Sequence, residues 1–502
     1  MSLVLIIFLT CAACYFIHAK WTVFTVGRRI RGPWALPLVG NVQMISKLKP
    51  ESLFKSVAEF RVKYGETYRL WLGPELWVFL HSPAETREAL NEPTLTRPVA
   101  FHQLSILIGN GLLISHGKQW ETHRRALSPA FNANILNTFA PVIAQHGEEL
   151  VRKLLATEGS SVEVSHYLFA CVLDAIVETS MGKQLNSLTD PHNRYAHAFH
   201  KTSELLFKRM TNPLLALDFI FQRTNMYREL SASVAVIHQL MGIVIDERVE
   251  ALKQQKSLVS GTSTAPPAEG IRKLRRTLLD TLLTTQIAGK ALTCNEICNE
   301  VNTFVFAGVD TTTAAMCFVL YSLGKYPAVQ HKLVTEIEEQ VFVGAALTVD
   351  ILNRLTYLDL FIKEVLRYYT VVPLTGRQTT GDTMIGGRRY CAGITLWIDL
   401  YGLAHDAQYF DKPEEFQPLR FAQAQKETLP PYVYLPFSGG PHICIGRNYA
   451  LLIMKMLTVQ ILRNFEVKLR DPHEELVLQS QMVLKSLHGF NLIFRQRVKI
   501  TE

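Results

Sequence analysis

The sequence predicts a mostly α chain with small β-sheets, and three observations predict it. Apolar positions over residues 50–253 recur mostly at helical spacing. Residues 294–323 and 447–465 are two long apolar runs of helix length. Strand patterns are few and short, the clearest being residues 67–72 and 76–80, joined by Gly73-Pro74-Glu75.

In chain order, residues 3–17 form an uncharged run of Leu, Ile, Phe and Ala, followed by Lys20, Trp21, Arg28, Arg29 and Arg31. Extended to residue 26, the run is about as long as a bilayer crossing requires. The arginines favour the cytosolic side and Trp21 an interface. A cleaved signal peptide is the rival reading. It lacks support in the form of a basic n-region or a small-x-small cleavage site. Residues 1–30 are therefore expected to be a membrane anchor with a basic stop, and residues 31–502 the catalytic part.

Prolines and glycines over residues 32–41 make a stiff connector. Pro50, Glu51 and Ser52 read as a helix start. Residues 97–113 lack a period and read as a long loop. In the helix around Gly117, Trp120 and Arg124 are four apart and share a face. That pattern also suits a surface helix with snorkelling arginines. Residues 254–270, rich in Ser, Gly, Thr and Pro, read as an exposed linker.

Thr293-Cys294-Asn295-Glu296 is a capping box that opens the helix over 294–323. Within it, Gly308, Asp310 and Thr311 to Thr313 lower helix propensity. Threonines bonding back to the preceding turn are one account of them. A helix over 358–368 carries Glu364 and Arg367 at i, i+3.

Composition narrows the function. The 502 residues are 48% hydrophobic and carry a net charge of +8. No dense Lys/Arg run with interleaved aromatics appears, so nucleic acid is not expected. An acidic protein partner or an anionic membrane surface fits better. Eight scattered cysteines suggest a reducing compartment rather than a disulfide framework. No dinucleotide fingerprint or phosphate loop is present, so the chain is not expected to carry its own nicotinamide or flavin.

The stretch Phe437-Ser438-Gly439-Gly440-Pro441-His442-Ile443-Cys444-Ile445-Gly446 is a tight loop that enters the last long helix. A thiol there meets free N–H groups and a helix dipole, which favour a thiolate. Most lone cysteines, however, are small buried hydrophobes. The stretch as a whole resembles the haem-binding loop of the cytochrome P450 monooxygenases. Four further signals follow in that family's order: the anchor and hinge, Trp120/Arg124, Asp310/Thr311, and Glu364/Arg367 with Arg420.

The resemblance implies a mostly helical single catalytic domain with a small sheet portion, an α+β fold of cytochrome P450 type. It implies haem b with Cys444 as the axial thiolate and only metal ligand, and Phe437 and Gly308 close to the haem. Trp120 and Arg124, with Arg377 and His442, are implied partners of the propionates. Asp310 and Thr311 are implied as the acid–alcohol pair that delivers protons to oxygen. The implied partners are O2, a small apolar substrate, a membrane and an NADPH-dependent cytochrome P450 reductase, docked on Lys118, Arg125, Arg447 and Lys455. The chain is expected to be a monomer in the endoplasmic reticulum membrane, its catalytic part cytosolic.

Within the family the chain looks closest to the fatty-acid ω-hydroxylase branch and its insect relatives. The expected pocket comprises residues 101–113, Phe304, 371–374 and 487–490. Three positions depart: His442 stands where the family has Arg, Leu419 where it has an acid, and Ala307 where that branch often has a haem-esterifying Glu. The alternative reading is a haem-binding member that rearranges peroxides or holds lipid without monooxygenase activity.

Overall fold

The computed structural model describes residues 20–36, 39–45, 47, 53–190, 192–212, 214–260, 277–287, 289–342, 344–422, 429–473 and 475–497. The expected anchor over residues 3–17, the helix start at residues 50–52 and linker residues 261–270 lie outside them. Residues 254–260, read as linker, instead end the helix Asn225–Ser260.

A four-stranded sheet forms one side of the protein. β1 (Thr67–Leu72) and β2 (Glu75–Leu80) are the expected hairpin, and β3 (Leu374–Gln378) and β4 (Thr395–Asp399) come from the C-terminal half. The order is β1-β2-β4-β3, with β2 and β4 parallel and the other pairs antiparallel.

Residues 20–28 form a helix that lies on this sheet. Val23 is buried and Phe24 stacks on Trp71 with ring centroids 4.9 Å apart. The run to residue 26, expected to be one bilayer segment, thus spends its described end on β1. The connector behind it is strapped down. Arg69 of β1 donates to the Ile30 carbonyl at 3.0 Å, and Asn41 bridges the Trp34 carbonyl and the Trp71 N–H. Gly40 has φ +67°, and a Cβ there would lie 2.4 Å from the Trp71 carbonyl oxygen, so only glycine fits.

Six helices position the site. They are α1 (Gly117–Leu127), α2 (Ser165–Met181), α3 (Arg194–Thr211), α4 (Cys294–Lys325), α5 (Thr356–Tyr368) and α6 (Arg447–Asn464). α4 starts at the expected capping box and runs through the core, with Val301, Val305, Val309 and Phe318 all fully buried. Its apolar length, which would also suit a bilayer, is here the centre of a folded core. β5 (Leu478–Ser480) and β6 (Leu484–Ser486) form a late antiparallel hairpin.

Residues 97–113, expected to be irregular, contain a 3₁₀ helix, Val99–Leu104, and a helical turn, Ser105–Ile108. Pro98 and Gly109 bracket them, which is why no helical period shows in so short a stretch.

Glu364 and Arg367 on α5 are wholly buried, with Arg367 donating to both carboxylate oxygens at 2.8 and 2.9 Å. Arg420 joins at 3.0 Å, and the Gln417 N–H donates at 2.8 Å. The spare guanidinium nitrogens donate to the carbonyls of Ala404, Asp411 and Glu415. Every charge in this trio has a partner.

Candidate functional site

A cavity of about 1390 Å³ lies between α4, the sheet and the loop before α6. Its floor is that loop. Ser438 (φ +60°) and Gly440 (φ +66°) turn the chain, and the Cys444 N–H donates to the Phe437 carbonyl at 3.0 Å. A Cβ on Gly440 would lie 2.4 Å from the Leu90 carbonyl oxygen, so glycine lets the loop press against the helix Pro83–Asn91.

Cys444 lines the cavity, one residue before the Ile445-Gly446 entry to α6. Burial pushes its thiol above the ordinary value. The N–H groups of Gly446 and Arg447 and the charges of Arg124 and Arg447 pull the other way. Cys444 itself is exposed to the cavity, so surrounding protein atoms and these N–H groups and charges act on the thiol in opposite senses.

The opposite wall is α4, where Phe304, Ala307, Gly308, Asp310 and Thr311 all line the cavity. Thr311 Oγ1 donates to the Ala307 carbonyl at 2.8 Å, the back-bonded arrangement anticipated as one option. Gly308 serves packing as well as space: a Cβ there would come within 3.0 Å of Ile176 on α2. Asp310 is not turned to Thr311. Its carboxylate pairs with Lys485 of β6 at 3.0 Å.

The side of the cavity is cationic. Arg124 on α1 donates to the Ile443 carbonyl at 2.7 Å, next to Cys444. Trp120, one turn earlier, packs on His442 with ring centroids 3.7 Å apart. Arg377 on β3, expected at the site, does not line the cavity; it is buried behind His442, and its Nη2 has no partner. Arg97, which sequence reasoning missed, joins them because an antiparallel bridge pairs Thr96 with Gln378 and sets Arg97 beside Arg377.

The electrostatics reflect this crowding. Burial pushes Arg97 down to about 10, and burial plus Arg97 pushes Arg377 down to about 9. Burial and then Arg377, Arg97 and Arg124 press the His442 imidazole down to about 3, so it is neutral. The His442 ring thus sits among three cations that oppose its protonation.

Among the described residues, none of Arg97, Arg124 and Arg377 pairs with a carboxylate. Arg97 and Arg124 line the cavity with the thiol, and Arg377, with its orphaned N–H, stands behind His442; this set suits a planar, two-carboxylate group ligated by sulfur. The residues present therefore fit a haem.

A family model of the cytochrome P450s matches residues 30–494. The chain belongs to the cytochrome P450 family. Cytochrome P450 4d2 of Drosophila melanogaster is 32% identical over 93% of both chains. Cytochrome P450 4V2 of Homo sapiens is 33% identical over 92% of this chain and 89% of its own. A solved structure described as a cytochrome P450DA heme domain matches 93% of this chain and 98% of its own, at 22% identity and a TM-score of 0.79. The fold is thus the cytochrome P450 fold, and the chain is a monooxygenase of that family, with haem, a cysteine thiolate and a redox partner as the family's equipment.

Other expected positions are met in part. Residues 371–374, Phe304, Phe101 and Leu113 line the cavity. In place of residues 487–490, the turn of the β5–β6 hairpin, residues 480–483, reaches it. Lys455, expected on a docking patch, is buried and paired with Asp359 at 3.3 Å, whereas Lys118, Arg125 and Arg447 are exposed.

Proposed function

We propose that this cytochrome P450 uses Cys444 as the thiolate ligand of haem b and inserts one atom of O2 into an apolar, lipid-like substrate. The single observation that carries the reading is the opposition of Cys444 and the Ala307–Thr311 face of α4 across one cavity, with the carboxylate-free Arg97 and Arg124 in its lining and Arg377 behind His442. Haem, when bound, supplies reductive activation of O2, and thiolate donation favours O–O cleavage.

The chain's own residues do the rest. Arg97, Arg124 and Arg377, with the Trp120 and His442 rings, hold the two carboxylates. Apolar walls exclude water and orient the substrate. Asp310 collects protons, and Thr311 releases its hydroxyl from the Ala307 carbonyl to pass them on. The balance is RH + O2 + 2 electrons + 2 protons giving ROH + H2O. Electrons come from an NADPH-dependent reductase, whose acidic face suits Lys118, Arg125 and Arg447. The protein acts as a monomer on the endoplasmic reticulum membrane, held by the N-terminal apolar run ahead of the sheet-packed helix over 20–28, with the catalytic part cytosolic.

The test is the reduced, carbon-monoxide-treated spectrum. The wild type gives the thiolate-type Soret band, and Cys444→Ser loses it. A thiolate-type band that survives the substitution overturns the assignment. Thr311→Ala keeps the band but diverts electrons from NADPH into hydrogen peroxide.

A further inference from the structure

Asp310 is the acid of the cavity wall, yet the group that fixes its direction is not on α4. It is Lys485, 175 residues later in the chain, with Nζ 3.0 Å from Asp310 Oδ1. Lys485 is 35% exposed at its side chain and Asp310 16%, so the pair spans from solvent to the cavity wall. On the solvent side, His200 of α3 is within electrostatic reach of both, with His166 and Glu204 beyond it.

Lys485 belongs to β6, whose hairpin puts Ser480, Gln481, Met482 and Val483 into the cavity. The Leu484 N–H donates to the Val371 carbonyl at 2.8 Å, which ties the hairpin to another cavity-lining segment. One two-stranded unit therefore touches whatever occupies the cavity and also grips the acid. We infer that Lys485 is a positioning residue for Asp310, and that the β5–β6 hairpin transmits occupancy of the cavity to that ion pair. The inference rests on the monooxygenase reading above and deepens it: proton delivery is tuned to the presence of substrate by a lysine outside the haem pocket.

The chemistry to be read is a partition. With O2, two electrons and two protons give hydrogen peroxide. Timely delivery of protons to O2 under reduction instead gives water, with either ROH or, at four electrons and four protons, a second water.

The experiment uses the haem-loaded full chain with NADPH and reductase, and measures the fraction of electrons recovered as hydrogen peroxide, with and without 1-dodecanol. Lys485→Met keeps the aliphatic stem and removes the charge. It raises the peroxide fraction about threefold and abolishes its response to dodecanol, which in the wild type lowers it about twofold. Lys485→Arg restores both. In an Asp310→Asn background Lys485→Met adds nothing, because the group it positions is gone.

A Lys485→Met protein with wild-type partition, or an additive effect in the double variant, overturns the inference. A wild type insensitive to dodecanol, or a Lys485→Met protein with an unchanged response, overturns the hairpin link. The carbon-monoxide spectrum separates levels. If the wild type lacks the thiolate signature, the monooxygenase reading fails and takes this inference with it. If both proteins show it and the partition is unmoved, this inference fails alone.

Discussion

Two arginine-rich clusters lie inside this protein, and they are built on opposite plans. In the first, Glu364 sits between Arg367 and Arg420, and the remaining guanidinium nitrogens reach backbone carbonyls. In the second, Arg97, Arg124 and Arg377 surround a neutral His442, and no described carboxylate answers them. A buried charge costs several kcal/mol unless it is paired. The closed cluster therefore belongs to the fold, and the open one belongs to a ligand that brings its own negative charge.

The largest expected effect is on the closed cluster. Glu364→Ala leaves two buried arginines unpaired, which costs about 3–5 kcal/mol. The expected outcome is a protein that melts far below the wild type and accumulates poorly as folded haem protein. Thermal unfolding checks it, and an unchanged melting temperature would show that the trio is not the structural clamp its geometry implies.

Between the two plans lies a pair whose charge balance changes with protonation. His123 on α1 bonds Glu300 of α4 at 2.7 Å, and the same carboxylate accepts the Leu112 N–H. The bond to Glu300 holds the His123 imidazole above its ordinary value, against burial, with Glu296 adding to the attraction. Because the folded value is raised, the stabilisation is complete below the ordinary histidine range and is lost as pH rises through the raised value. Such a charge-assisted bond contributes about 1.5–3 kcal/mol. The stability gap between wild type and His123→Gln is therefore wide at about pH 6 and narrows towards pH 9. Denaturant unfolding at the two pH values measures it; a gap that widens with pH contradicts the sign.

The open cluster answers in the reverse sense from Glu364. Arg377→Met removes a buried cation that has no carboxylate partner, so the haem-free protein unfolds no earlier than the wild type. Haem retention is what suffers. Transfer to an apo-globin acceptor is expected to run about tenfold faster, equivalent to about 1.4 kcal/mol. If Arg377→Met instead destabilises the haem-free chain and leaves haem transfer alone, the two clusters are of one kind.

The clusters also differ in how much of each the sequence discloses. Glu364 and Arg367 are three apart on one helix, and Trp120 and Arg124 four apart on another, so local spacing is enough to place them on shared faces. Cys444 stands out by its glycines. Arg97 gives no such sign. It precedes a proline in a stretch without a period, and only the Thr96–Gln378 bridge brings it to Arg377, 280 residues later. Lys485 is hidden for the same reason, since its partner lies on a different element far back in the chain. His442 is legible as a departure but not as a neutral one, because neutrality depends on the three cations around it. Helix and hairpin positions are local properties, so the sequence discloses most of them; the last turn of Asn225–Ser260, expected as linker, shows that composition alone misplaces an end.

The smallest expected effect concerns Leu419, the residue where the family has an acid, next to Arg420 in the closed cluster. Adjacency in sequence suggests that an acid there would add to the cluster. The geometry says otherwise. Pro418–Phe421 is a 3₁₀ turn in which Arg420 is buried and points to Glu364, while Leu419 is 53% exposed. Glu364 already accepts from Arg367, Arg420 and the Gln417 N–H, so the trio has no unmet demand for another carboxylate. An aspartate at 419 gains at most a screened surface interaction, worth about 0–1 kcal/mol. Leu419→Asp is therefore expected to leave the melting temperature within about 2 °C of the wild type, in contrast to the collapse expected for Glu364→Ala. A large gain from Leu419→Asp would mean that the cluster is open towards solvent, and that its difference from the haem-side arginines is one of degree.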